Sequence, residues 1–279
     1  MKPETIRTIR ELRARVEAWR KNGFSVGMVP TMGALHRGHL ALIETAQQQC
    51  DRVVVTLFVN PTQFAPTEDL SAYPRDENAD GWKLEALGID VLFAPPTEEM
   101  YPAGFDLTVT VGGPAAGLET DFRPYHFAGV ATIVAKLLIA GLPDRAYFGE
   151  KDFQQLLVVK KLVHDLGLPT EIVGCPTVRE ADGLAMSSRN AYLSAKERAQ
   201  APKLYSALQD VARRIRGGEA TASALAAGRT ALAAAAFTVD YFEARNAETL
   251  SPEDLKAEPL RLLVAAKLGR TRLIDNIAV

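Results

Sequence analysis

Val53–Val59 reads Val-Val-Val-Thr-Leu-Phe-Val, an unbroken apolar and β-branched run with no polar alternation. A strand of that composition is buried on both faces, and such strands belong to parallel sheets covered by helices on either side. Further short runs read as companion strands: Val26–Val29, ending at Pro30, then Ile89–Phe93, Ala146–Phe148 and Glu171–Gly174. Helical stretches over Gly38–Gln49, Glu77–Leu87, Phe127–Ala140 and Asp152–Leu166 separate them. Residues 5–21 carry Ile6, Ile9, Leu12, Val16 and Trp19 at spacings of three and four, predicting a first helix closed by Gly23. Strands alternating with helices of this length predict an α/β fold, a parallel sheet with right-handed crossovers. Ligands of such sheets bind beyond the carboxyl ends of the strands, so the segments after each strand are where chemistry is expected.

Past residue 176 the pattern changes. Two alanine-rich helical stretches, Ala195–Arg216 and Thr221–Ala236, precede three strand-like runs, Val239–Arg245, Leu260–Leu268 and Thr271–Ile277. Gly269-Arg270 reads as a hairpin turn between the last two. The chain therefore divides into a first, α/β domain over 1–176 and a smaller α+β domain over 177–279.

Composition weighs against several classes of function. A formal net charge of −2 supplies no basic field for nucleic acid or an acidic membrane. The N-terminal stretch to Gly23 has repeated charges and no apolar core of a secretory signal. The longest apolar run, Val130–Ala140, is interrupted by Lys136 and is too short to span a bilayer. Cys50 and Cys175 lie far apart without metal spacing and read as buried free thiols, so a cytoplasmic protein is expected.

Four segments carry residues suited to phosphate chemistry. Pro30-Thr-Met-Gly33-Ala-Leu-His36-Arg-Gly38-His39 lies between a strand and a helix. Gly33 permits a tight turn and Gly38 a close backbone approach. His36 and His39 share a face at the helix start, where free N–H groups and a partial positive charge favour phosphate. A metal pair or two surface histidines are the alternatives, and the segment has no cysteine or third histidine to favour the metal. Asn60 and Gln63 in Phe58-Val-Asn-Pro-Thr-Gln-Phe make an ordered turn, or offer uncharged amides to a hydroxyl and a carboxylate. In Phe148-Gly-Glu-Lys-Asp-Phe-Gln-Gln155, Asp152 and Gln155 match a capping box, while Gly149 and Lys151 match a phosphate cradle. Val178–Asn190 is a linker between domains or an anion-binding loop built on Ser187, Ser188 and Arg189. Phosphate-compatible groups in all four, each after a strand, favour a nucleotide site over four coincidences.

PTMGALHRGH, FVNPTQF, RPYHFAGVATIVAKL, YFGEKDFQQL and DGLAMSSRNAYLS, in this order, resemble the pantothenate synthetases (pantoate–β-alanine ligases). The resemblance covers about residues 24–195 and continues more weakly beyond. H-x-G-H is also a signature of the wider nucleotidyltransferase superfamily, which implies a Rossmann-like sheet. The resemblance implies ATP as a substrate held by Pro30, Thr31, Met32, Gly33, Ala34, Leu35, His36, Arg37, Gly38 and His39. It adds Gly149, Glu150, Lys151, Asp152, Val178, Met186, Ser187, Ser188 and Arg189. His39 would be the proton donor, with His36 and Lys151 its catalytic partners. Gln63 would bind pantoate and β-alanine, Gln155 pantoate, and Asn60 is a further pocket candidate. The family further implies a homodimer and Mg²⁺ on the triphosphate; Asp76 and Asp80 are the carboxylates considered for the metal, and no ligand is assigned. Arg123 and His126 lie in a family-like segment with a role in site, interface or structure. Phe153, Tyr125 and Ala128 stand where the family more often has Tyr, Gly and Arg.

Overall fold

Thr8 decides where the first helix begins. Its hydroxyl accepts the N–H of Glu11, whose carboxylate accepts the N–H of Thr8 in return, at 3.2 Å each. This capping box starts α1 at Ile9 (Ile9–Lys21) and leaves Glu4–Ile6 extended as strand β1. Ile6, expected in the helix, instead pairs with Phe93 at the sheet edge.

The computed structural model describes residues 2–64, 70, 76–252 and 259–279. They form two compact units. The first comprises Met1–Val111, Arg123–Glu150 and Val158–Pro176. Its strands are β1, β2 (Val26–Thr31), β3 (Arg52–Leu57), β4 (Val91–Phe93), β5 (Arg145–Gly149) and β6 (Glu171–Cys175). They make one parallel sheet in the order β1-β4-β3-β2-β5-β6. Leaving β1 aside, the chain fills third, second, first, fourth and fifth positions, the doubly wound Rossmann-like order. The helices between strands are α2 (Arg37–Gln49), α3 (Glu77–Ala86), the short α4 (Thr97–Met100), α6 (His126–Gly141) and α7 (Phe153–Leu166); α5 (Glu119–Phe122) belongs to the second unit.

Alternation along the strands loads both faces of the sheet. Val29, Val53 and Val55 pack with Leu42 and Ile43 of α2. Met28 points the other way, so close to Gly141 of α6 that a Cβ there would lie 2.3 Å from its methyl group. Each such buried aliphatic side chain contributes about 1.5–3 kcal/mol through removal from water. Cys50 and Cys175 are buried free thiols, and among the described residues no helix is long and apolar enough to cross a membrane.

The second unit contains Thr177–Val279 and two earlier stretches, Gly112–Phe122 and Lys151–Leu157. Strands β7 (Phe237–Asn246), β8 (Leu260–Leu268) and β9 (Thr271–Ala278) are antiparallel in that order, with the expected turn at Gly269-Arg270. The expected helix Ala195–Arg216 is two, α8 (Ala195–Gln200) and α9 (Lys203–Arg216), because Pro202 lacks an N–H and its ring crowds the preceding turn. α9 and α10 (Thr221–Ala234) bury Leu204, Leu208, Val211 and Leu232 against Phe242, Leu262 and Val264.

Chain order assigned the two earlier stretches to the first domain; packing groups them with the second unit. Leu118 and Phe153 enter a small core with Tyr241, Leu250, Leu263 and Ala265. The Glu119 carboxylate accepts hydrogen bonds from the Tyr241 hydroxyl at 2.8 Å and from Arg272 at 2.7 Å. Gln154 receives the N–H of Glu119 and donates to the carbonyls of Pro114 and Gly117.

Candidate active site

In the first unit the chain runs from β2 outward to β3 and β4, then returns to the other side of β2 to place β5. That reversal puts the switch point between β2 and β5, where doubly wound sheets bind ligands. One residue opens it. Thr31 faces β3, since its carbonyl accepts the N–H of Phe58 at 3.1 Å, and Val26 faces β5, since its carbonyl accepts the N–H of Asp144 at 2.8 Å. Backbone groups alternate along a strand, so Pro30 faces β5 as Val26 does, and it has no N–H to offer. The β2–β5 register covers Gly27 and Met28 only, whereas the β2–β3 register runs through Thr31.

The turn after β2 is tightly held. Gly33 and Ala34 have φ of +83° and +51°. A left-handed alanine costs about 1–2 kcal/mol and persists only where its surroundings impose it. Here Asp80, 2% exposed, accepts the N–H of Leu35 at 2.8 Å, and the Lys83 ammonium donates to the Leu35 carbonyl at 2.7 Å. Asp80 thus anchors the turn, and Asp76 caps α3 by accepting the N–H of Ala79.

His36 is the N-cap of α2. Its Nδ1 accepts the N–H of Gly38 at 3.2 Å, while Nδ1 of His39 accepts the N–H of His36 at 3.3 Å. The rings lie 4.1 Å apart between centroids. A nitrogen that accepts a backbone N–H carries no proton, so each neutral imidazole holds its proton on Nε2. The backbone of the first helical turn thereby fixes one tautomer for both neutral rings. Arg37 turns aside to Glu44 at 2.6 Å.

After β3, Asn60 caps a 3₁₀ turn over Pro61–Gln63. The Asn60 amide is engaged at both ends: Nδ2 donates to the Gly129 carbonyl at 3.1 Å, and Oδ1 accepts from Tyr101 at 2.7 Å and Thr62 at 3.0 Å. Burial and these bonds make Asn60 a fastening for the turn. Gln63 is 9% exposed, and its carbonyl accepts from Arg123 at 3.2 Å and from His126 Nδ1 at 3.1 Å. Its side-chain amide has no hydrogen-bond partner among the described residues. The amide is therefore open to form hydrogen bonds on a turn whose backbone is fixed. Arg123 and His126, ambiguous in the sequence, are holders of the Gln63 backbone.

β5 ends at Gly149, and Glu150 follows. The adjoining Lys151, Asp152 and Gln155 belong to the second unit. A 3₁₀ turn over Glu150–Asp152 runs directly into α7, so Asp152 lies inside the helical run and the expected capping box is not made. The only ionic partner of the Lys151 ammonium among the described residues is Asp152, at 3.7 Å, although the side chain is mostly buried. Of the adjacent glutamines, Gln154 is taken up by the Gly112–Phe122 stretch, and the Gln155 amide makes no hydrogen bond to a described residue.

Val178 and Met186 close a hairpin, the Met186 N–H donating to the Val178 carbonyl at 3.0 Å. Within it Gly183 has φ of +92°, and a Cβ there would meet the Tyr205 ring at 2.7 Å. Ser187 then caps a 3₁₀ turn over Ser188–Tyr192 by accepting the N–H of Arg189. Ser187, Ser188 and Arg189 therefore stand on an ordered turn rather than in an open linker. No group of three or more His, Cys, Asp or Glu suited to a metal occurs among the described residues.

Tyr101, Gly129 and Gln154 went unnoticed as site-building residues in the sequence, and Asp80 was considered there only for a metal. Gly129 alone left a signal, since a glycine inside a helix weakens it and so implies a packing reason.

A family model described as pantoate-beta-alanine ligase matches residues 4–278. The pantothenate synthetase of Rhodopseudomonas palustris (strain ATCC BAA-98 / CGA009) is 55% identical over 279 residues, covering 99% of each chain. That of Rhodospirillum rubrum is 56% identical over 275 residues, 98% of each. Among solved structures, pantothenate synthetase from Thermus thermophilus superposes with a TM-score of 0.92 at 51% identity, covering 98% of both chains. The Francisella tularensis pantoate-beta-alanine ligase, complexed with beta-gamma ATP and beta-alanine, gives 0.84 at 34% identity over 99% of this chain and 97% of that one.

Proposed function

We infer that this chain, which belongs to the pantoate-beta-alanine ligase family, condenses (R)-pantoate with β-alanine, driven by ATP, yielding pantothenate, AMP and pyrophosphate. A free carboxylate is a poor acyl donor because its leaving group would be oxide. Attack of a pantoate carboxylate oxygen on the α-phosphorus of ATP forms a pantoyl adenylate and breaks the bond to the β-phosphate, releasing pyrophosphate. The neutral amine of β-alanine then attacks the acyl carbon; AMP leaves with the bonding pair, and the nitrogen gives up a proton. Neither step requires a protein nucleophile, so catalysis rests on positioning and charge stabilisation.

The observation that carries the residue assignments is the histidine pair at the switch point. With both Nδ1 atoms occupied by backbone N–H groups, the two Nε2–H groups serve the phosphate oxygens, and His39 donates a hydrogen bond to the departing pyrophosphate. The strained turn from Pro30 to Leu35 brings backbone to the nucleotide. Gly149–Asp152, Val178 and Met186–Arg189 are proposed to hold ATP, Lys151 and Arg189 supplying cationic contacts. Gln63, buried with an open amide, binds pantoate and β-alanine, and Gln155 binds pantoate; Asn60 supports Gln63. Mg²⁺ enters as MgATP, since it keeps most of its waters and needs few protein ligands. A homodimer in the cytoplasm completes the reading, the reducing compartment fitting two free thiols.

Incubation with ATP, pantoate and β-alanine tests the reaction. AMP should accumulate with turnover only when both pantoate and β-alanine are present, and pantoate alone should support exchange of labelled pyrophosphate into ATP. Formation of ADP, or exchange driven by β-alanine alone, would refute it.

A further inference from the structure

The structure assigns to Asn276, with its neighbour Asp275 on β9, the positioning of Lys151 and of the Val178–Met186 hairpin for ATP. This rests on the reading of Lys151 and the hairpin as ATP-binding, and adds two residues that act through Lys151, Arg179 and Arg261.

Adjacent residues of a strand point to opposite faces, and both of these are buried and polar. Asn276 Nδ2 donates to the main-chain carbonyl of Lys151 at 2.9 Å, and its Oδ1 accepts from Arg261 Nε at 2.7 Å. Arg261 in turn lies over the Phe153 ring, 4.0 Å from its centroid, two residues beyond Lys151. The carbonyl of Lys151 is thereby tied to a strand, and the segment just after it is held by the same arginine. Asp275 grips Arg179 with both oxygens, at 2.6 and 2.9 Å, and accepts the N–H of Asn276 at 2.8 Å. Arg179 follows Val178, donates to the Gly183 carbonyl at 3.1 Å and covers the Tyr205 ring at 3.7 Å. Its bond to Gly183 spans the turn of the hairpin that ends at Met186.

A buried ion pair is weak evidence of stabilisation, because desolvation offsets much of its attraction. Such a pair does set position: a two-point contact between a planar guanidinium and a carboxylate admits one geometry. β9 thus holds two separate stretches of the ATP-binding machinery through consecutive side chains. Lys151 has four rotatable side-chain bonds and one distant ionic partner, so where its ammonium reaches depends on where its backbone is held.

The test is a double-mutant cycle read by direct ATP binding and, separately, pantoate binding to the full-length protein. Asn276→Asp keeps the acceptor for Arg261 and replaces the donor facing Lys151 with an oxygen; Asn276→Ala removes the donor without a new charge and serves if the first variant misfolds. Either should weaken ATP binding by about tenfold, the worth of one buried hydrogen bond, with pantoate binding unchanged. In a Lys151→Ala background the same substitution should weaken ATP binding no further. Equal weakening in both backgrounds, or none in either, would overturn the assignment while leaving Lys151 in place. Wild-type ATP binding by Lys151→Ala itself would instead remove the reading beneath it.

Discussion

Gly129 and Thr62 meet backbone to backbone: a Cβ on Gly129 would lie 2.4 Å from the Thr62 carbonyl oxygen and 3.0 Å from the Gln63 nitrogen. Nothing at that contact is a flexible side-chain end, so the 3₁₀ turn itself must move to admit a methyl group. Gly129→Ala should therefore act on Gln63. The Michaelis constants for pantoate and β-alanine are expected to rise by about tenfold or more, and that for ATP to change little, as a displacement of about 1 Å costs a positioned group much of its effect. Steady-state kinetics with each substrate varied in turn decide it; an unchanged pantoate constant means the turn is not what places Gln63.

The neighbouring glutamines of α7 should behave oppositely. Gln154 makes three hydrogen bonds to the Gly112–Phe122 stretch, so Gln154→Ala leaves buried groups unpaired and should lower the melting temperature by several degrees. Gln155→Ala should leave melting unchanged and raise the Michaelis constant for pantoate. Thermal melts alongside kinetics separate the two, and a reversed pattern would reassign the site.

His36 can be altered without losing its helix. Asparagine is a preferred N-cap, so His36→Asn should keep α2 while removing an imidazole. Adenylate formation is expected to slow by roughly 10–100-fold, and His39→Ala, which takes away the hydrogen bond to the leaving pyrophosphate, to cost about 10²–10³-fold. Pantoate-dependent pyrophosphate exchange measures both, with circular dichroism as the control for folding. Near-wild-type exchange by His39→Ala would exclude it as the donor.

Tyr241 makes alkaline stability a readout of the second unit. Burial, followed by the charge of Glu119 and its hydrogen bond, pushes the Tyr241 phenol well above its ordinary range. A pKa raised by folding stabilises the protein fully below the unfolded value of about 10, and that contribution is lost as pH rises toward the folded one. Tyr241→Phe should cost about 1–2 kcal/mol at about pH 8, and the gap from wild type should narrow above about pH 10. Urea melts at both pH values check the sign; a gap that widens at high pH would mean the hydroxyl does not donate to Glu119.

Much of this protein is legible in its sequence through local chemistry alone. The unbroken Val53–Val59 run could only be a doubly buried strand, the helices announced themselves by spacing, and Gly269-Arg270 marked its turn. The H-x-G-H segment was recognisable too, because a cap, a glycine and two imidazoles within four residues bond to one another locally. Where the expectation of a helix from residue 5 failed, the Thr8 cap started the helix at Ile9 and Ile6 was taken up by a pairing with Phe93, far along the chain.

Tertiary structure decided which side chain of each kind remained available. Gln154 and Gln155 are identical in sequence terms, and only packing commits one of them to Pro114, Gly117 and Glu119. Asp80 had the look of a metal ligand until its bond to Leu35, 45 residues away, made it an anchor. Asn276 reads as an ordinary strand residue until the Lys151 carbonyl, 125 residues distant, lies against it. Periodicity and capping act within a few residues, so the sequence contains them; a buried polar group's partner is set by which surfaces exclude water together, and that exists only once the chain has folded.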